Sequence, residues 1–190
     1  MLYLPTNLSR QPQVAYYMAR KDTFFLRTSL TTSGTSYVSD NIDISAYTDP
    51  ARGRVLVVDR AWVSFGTDGG GPVQPGDLGT SAMTRSVGIQ ACSEKQTTLV
   101  DLDNNSLFLE SAMYASLSAS GIFSMINEDS AMNPYDTEAG FIIPTDAIHC
   151  ALDCGNAFAA EIDVGFCFEV HTEKLSLQRI QELLVSLTAN

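Results

Sequence analysis

Between Thr23 and His171 the apolar residues recur in short runs, mostly at every second position, with glycine, proline, serine and asparagine between the runs. A period of two is the mark of a strand with one buried face. The clearest case is Glu161–His171 (EIDVGFCFEVH). Ile162, Val164, Phe166, Phe168 and Val170 point one way; Glu161, Asp163, Gly165, Cys167, Glu169 and His171 point the other. This predicts a half-buried antiparallel strand whose wet face carries His171. Arg54–Phe65 (RVLVVDRAWVSF) is apolar on both faces, with Val55, Val57, Ala61 and Val63 on one and Leu56, Val58 and Trp62 on the other. Such a strand is covered on both sides, or lies against the core on one side and a partner on the other. Further strands are expected at Thr23–Thr31, Tyr37–Ile44, Ser86–Cys92, Gln96–Val100, Phe141–Ile143 and Ala147–Asp153, and Leu107–Leu117 fits a strand or a short helix.

The period changes at the end of the chain. Leu175–Leu187 places Leu177, Ile180, Leu184 and Leu187 at helical spacing, with Leu183 widening the stripe. Ser176 is the candidate N-cap, although Arg179 stands where a capping box wants Glu or Gln. The helix folds back onto its own domain or docks onto a neighbour. Residues 66–79 hold six glycines and two prolines, which rules out regular structure and predicts a long surface loop. Met125–Thr137 reads as a second loop. Short strands, polar turns and the absence of helices between strands predict an all-β antiparallel sandwich of jelly-roll type rather than an α/β fold. The expected division is an extended N-terminal arm at 1–21, a β-sandwich at 22–172 and a C-terminal helix within 173–190.

Composition narrows the functional classes. The 190 residues are 45% hydrophobic and 17% charged, which argues against intrinsic disorder. No run of 18 apolar residues predicts a membrane-spanning helix, and the first residues lack the layout of a signal peptide. The net charge of −11 disfavours binding to phosphate backbones. That charge is uneven: residues 1–60 sum to +2 and residues 61–190 to −13. Near the start, Arg10, Arg20, Lys21 and Arg27 face only Asp22, so this end can approach an anionic surface that the remainder repels.

Candidate chemistry is sparse. Cys92, Cys150, Cys154 and Cys167 give one pair of zinc-like spacing (150 and 154) but no second pair, so buried free thiols are expected ahead of a disulfide or a metal site. His149 and His171 are the only histidines. His149 and Cys150 cannot act as a nucleophile–base pair within one strand, because adjacent side chains point to opposite faces. No G-x-S-x-G is present, and the glycine-rich stretch 66–79 has no Lys or Arg to serve phosphate. Asp101-Leu102-Asp103-Asn104-Asn105 opens like a calcium loop, but Ser106 and Ala112 stand where glycine and glutamate are required. A looser calcium site at Asp101 and Asp103 competes with a polar hairpin turn. No catalytic, cofactor-binding or metal residue is assigned, and no cofactor is expected.

The order of parts, with arm Met1–Lys21, strands from Thr23 to His171, loops 66–79 and 125–137 and helix 175–187, resembles the single jelly-roll coat proteins of tailless icosahedral viruses. The resemblance is one of layout over nearly the whole chain and involves no signature motif. It implies a non-enzymatic capsid subunit in the virion, which assembles with copies of itself and with other virion proteins. The arm would face neighbours or the interior, where it would meet the genome or an internal membrane, and the long loops would lie at subunit contacts or on the outer surface. The sequence departs from many coat proteins in lacking an arginine-rich tail, which argues against sequence-specific or direct genome binding. The competing expectation is a lectin-like or receptor-binding sandwich, with or without calcium in its loops.

Overall fold

The computed structural model describes residues 22–32, 34–67, 69–79, 82–128 and 140–187; the expected arm at 1–21 and most of the expected loop at 125–137 lie outside them. Among these described residues nine strands form two antiparallel sheets. They are β1 (Phe24–Thr32), β2 (Val38–Asp43), β3 (Arg54–Thr67), β4 (Met83–Cys92), β5 (Leu107–Leu117), β6 (Phe123–Glu128), β7 (Phe141–Ile143), β8 (Ala147–Cys154) and β9 (Ile162–Lys174). The first sheet runs β1-β9-β3-β7 and the second β2-β8-β4-β5-β6. Connections cross from one sheet to the other at β1–β2, β2–β3, β3–β4, β6–β7, β7–β8 and β8–β9. This alternation gives two four-stranded sheets interleaved along the chain, which is a jelly roll, with β6 added at one edge.

The core lies between the sheets. From the first sheet come Leu30, Leu56, Val58, Ile143 and the β9 series Ile162, Val164, Phe166, Phe168 and Val170. The second sheet answers with Val87, Ile89, Ala91, Phe108, Leu109, Met113, Ala115, Ile148, Cys150 and Leu152. Phe108 bridges the two, 4.9 Å from the ring of Phe141 and 5.7 Å from that of Phe168.

One residue changes the faces of β3. Val58 pairs with Val170 and Arg60 with Glu169, so Asp59 is an inserted residue that makes a β-bulge. Beyond the bulge the faces exchange. Leu56, Val58, Ala61, Val63 and Phe65 face the core, whereas Val55, Val57, Arg60, Trp62 and Ser64 face outward. Strict alternation had put Ala61 with Val57 and Trp62 with Val58. With apolar residues on both faces, the pattern cannot register a one-residue slip.

Three segments differ from expectation for identifiable reasons. Gln96–Val100 is not a strand. It lies over the outer face of the second sheet, where the buried Gln90 amide donates to Thr98 O (2.9 Å) and accepts from Val100 N (2.8 Å). Gly88 leaves the space that Leu99 takes, since a Cβ there would stand 2.8 Å from Leu99 Cδ1. The stretch that begins at Met125 is strand as far as Glu128, because β6 pairs with β5 from Ala112↔Glu128 to Leu117↔Phe123. Within the glycine-rich stretch Thr67 still belongs to β3, Pro75–Leu78 form a 3₁₀ turn, and Val73 and Leu78 enter the core. Asp77 O accepts from Ala159 N (2.8 Å), which ties this loop across the end of the sandwich as a plug.

Both ends of the described chain leave from the opposite end. Phe24 begins β1 against Val170, and β9 runs on to Lys174, past the expected domain limit at 172. Helix α1 (Leu177–Leu187) then lies across this end. Leu175 N donates to Gly53 O (2.8 Å), and Asn105 Nδ2 donates to Ser186 O (2.9 Å). Ser176 is the N-cap, its hydroxyl accepting from Arg179 N (3.2 Å), while Arg179 turns to Glu182 (3.3 Å) instead of closing a capping box.

Candidate functional site

The residues that sequence marked for chemistry are not brought together. His171 is on the outer side of the first sheet as expected, but it is 4% exposed rather than wet. The bulge delivers Asp59 to it, with Asp59 Oδ2 2.6 Å from His171 Nδ1. Its Nε2 is buried and has no hydrogen-bond partner among the described residues, so none of their serines or cysteines stands where a nucleophile would have to be. His149 is half-buried on the outer face of the second sheet, opposite in direction to Cys150. Burial first, and then the charge of Lys95, draw its pKa below the usual imidazole range.

All four cysteines are free; Cys92, Cys150 and Cys154 are buried and Cys167 is partly exposed. Asp101 and Asp103 are exposed at a turn in which Asn104 Oδ1 accepts from Ser106 N (3.0 Å) and Ser106 Oγ (2.7 Å). This polar turn lies within the long connection from β4 to β5. Among the described residues no three His, Cys, Asp or Glu side chains gather as a metal site would require. Arg85 points into the plugged end of the sandwich, donating Nε to Ala157 O (2.7 Å), and its buried Nη1 has no partner among the described residues.

What the fold does present is uncovered apolar surface at one sheet edge. β6 is the outermost strand of the second sheet and pairs on one side only among the described strands. Ile126, opposite Tyr114 of β5, is 65% exposed, and Ile122, just before the strand, is equally so. Met125, Tyr114 and Met83 are exposed beside them. Apolar side chains therefore stand out on both faces of an edge strand, Ile126 on one and Met125 on the other.

The other edges are defended in the usual ways. β2 carries the exposed Asp40 and Asp43, and β7 is three residues long. β1 presents polar Arg27, Ser29 and Thr31 on its outer face. β6 (FSMINE) has one charge, at its last residue. Sequence reasoning missed it because a strand of six residues between a turn and a polar stretch has no alternation to read. The missed signal was Phe123, Met125 and Ile126 inside a stretch otherwise fit for a loop.

Helix α1 adds a second apolar surface. It buries Ile180 and Leu187 and half-buries Leu183, but Leu177, Leu184 and Val185 remain exposed. Only part of the expected stripe is buried by the described residues. The helix thus folds back onto its own domain and still offers apolar side chains outward. No described protein family and no curated protein sequence matches this chain.

Proposed function

We propose that this chain is a structural subunit that assembles with copies of itself, in the manner of the single jelly-roll coat proteins of icosahedral virions. The observation that carries the reading is the β6 edge: a strand whose outer pairing groups no described strand takes up, apolar on both faces and almost free of charge. Such an edge is a template for another chain unless something covers it. Burying what remains exposed of Ile122, Met125 or Ile126 is worth about 1–2 kcal/mol per side chain, since each is already partly buried.

Charge favours the same place. Copies with a net charge of −11 repel one another, and the repulsion is least where the approaching surface has few acids, as on β6 with Glu128 alone. In this reading the exposed side of α1 is a second contact. The arm, with three basic and no acidic residues in 1–21, meets acidic neighbours or an anionic interior. The reading places the protein in a virion shell and assigns it no catalytic residue.

Sedimentation velocity of the purified chain and of Ile126→Lys tests the edge. The unmodified chain is expected to form oligomers whose fraction rises with concentration and with salt, because screening weakens the mutual repulsion. Ile126→Lys, which adds a charge at an exposed position, should remain monomeric with an unchanged unfolding midpoint. A chain that is monomeric in every condition, or a variant that associates as well as its parent, contradicts the proposal.

A further inference from the structure

The outer face of the first sheet, remote from β6, holds an open trough of about 590 Å³ whose walls are chemically mixed. Two cross-strand rows build it. The first row is Arg27, Cys167 and Trp62; the second is Ser29, Gly165 and Ser64. Neighbouring strands lie about 4.8 Å apart, so Arg27 and Trp62 face each other across roughly 10 Å of sheet.

Gly165 is the floor. A Cβ there would lie 2.7 Å from Ser64 Oγ, so any side chain would fill the space between the two serines. Trp62 is 43% exposed, which is unusual for the chain's only tryptophan on a sheet that buries aromatics well elsewhere. Its ring stands 6.3 Å from that of Phe25, and the Arg27 guanidinium lies 5.3 Å from the Phe25 centroid. Arg27 has no carboxylate partner among the described residues, since the nearby Glu169 is taken by Arg60 at 3.5 Å.

These groups match one kind of ligand. An exposed indole offers a flat apolar surface to the C–H face of a sugar ring. The two serine hydroxyls exchange hydrogen bonds with ring hydroxyls. A planar guanidinium, held by stacking on Phe25, takes a carboxylate through two parallel hydrogen bonds. We infer that this trough is a saccharide site, and that its ligand is a pyranose bearing a carboxylate, with Trp62 as platform and Arg27 as clamp. The inference is independent of the assembly reading: a shell subunit and a binding module would both carry it.

Because Trp62 is the sole tryptophan, emission excited at the red edge of the indole band, where the seven tyrosines do not absorb, reports on this face. The test titrates the full chain with the methyl glycosides of N-acetylneuraminic acid and of glucuronic acid, and with neutral methyl glucoside. A saturable change of emission is expected with at least one acidic sugar. Affinity should fall about tenfold for the neutral sugar and for Arg27→Gln, the usual worth of one charge-assisted hydrogen-bond pair. Gly165→Val should abolish binding. As a check that does not depend on that variant folding, alkylation of the partly exposed Cys167 should be slowed by the acidic sugar, and the alkylated protein should no longer bind. The inference is overturned if neither acidic sugar changes the emission saturably, if the neutral sugar binds as tightly, or if Arg27→Gln binds as its parent does.

Discussion

Phe168→Ala should lower the unfolding free energy by about 3–5 kcal/mol, against about 1 kcal/mol for Phe25→Ala in the same strand layer. Both are phenylalanines of the first sheet, but they stand on opposite faces. Phe168 is fully buried and packs against Phe108 of the second sheet (5.7 Å) and Phe166 of its own (6.3 Å). Removing it opens a cavity where the two sheets meet, and the neighbouring rings cannot collapse into the gap without leaving their own contacts. Phe25 is 49% exposed on the outer face, so truncating it leaves no closed cavity and gives up only its partial burial and its contacts with Trp62 and Arg27. Urea denaturation of both variants reads the difference. Equal losses would mean that the faces of the first sheet are not those described.

Stability should fall steeply above pH 9. Burial pushes the Cys92 thiol up to about 12 and the Cys154 thiol up to about 11, and pushes Cys150 up as well. In the unfolded chain these thiols ionise near pH 8.5. As pH rises past that value the unfolded state releases protons that the folded state retains, so the equilibrium moves toward unfolding. The stabilisation is therefore fully present below the unfolded pKa and is lost as pH climbs toward the folded ones. Each thiol accounts for up to about 1.4 kcal/mol per pH unit in that window, so the three together withdraw about 5 kcal/mol between pH 8 and 10. For a domain of ordinary stability this is a large part of the whole. Tyr37, raised chiefly by burial, acts in the same direction at higher pH. Denaturant midpoints at pH 8, 9 and 10 under reducing conditions test it. Cys150→Ala, although less stable at pH 8, should show a flatter decline. A midpoint indifferent to pH over this range would contradict the buried thiols.

Much of the architecture is written in simple periods. The alternation of β9 was readable because its outer face is polar, and helix α1 because a capping serine precedes a 3.6-residue pattern. What escaped reading is instructive. The Asp59 bulge is invisible where both faces of β3 are apolar, although a lone aspartate within VLVVDRAWV is the kind of residue that marks one. His171 was expected wet because strand parity reports direction and says nothing of cover; the bulge and its aspartate supply the cover from another strand. Gln96–Val100 was extended enough to suggest a strand, yet its pairing partner is a side-chain amide, Gln90, which no backbone pattern encodes. The candidate interface was the least legible of all. Whether Ile126 or Leu184 is covered depends on which element happens to lie beside it, and that is a property of tertiary placement. Trp62 carries the same lesson, since its outward direction follows from a slip three residues earlier.

Negative-stain electron microscopy of the purified full-length chain, at low salt and again near physiological ionic strength, is the most direct measurement. The account predicts regular closed particles or rings, more abundant at the higher ionic strength and absent from the Ile126→Lys preparation. Dispersed single domains in both conditions, with the β6 edge intact, would contradict it.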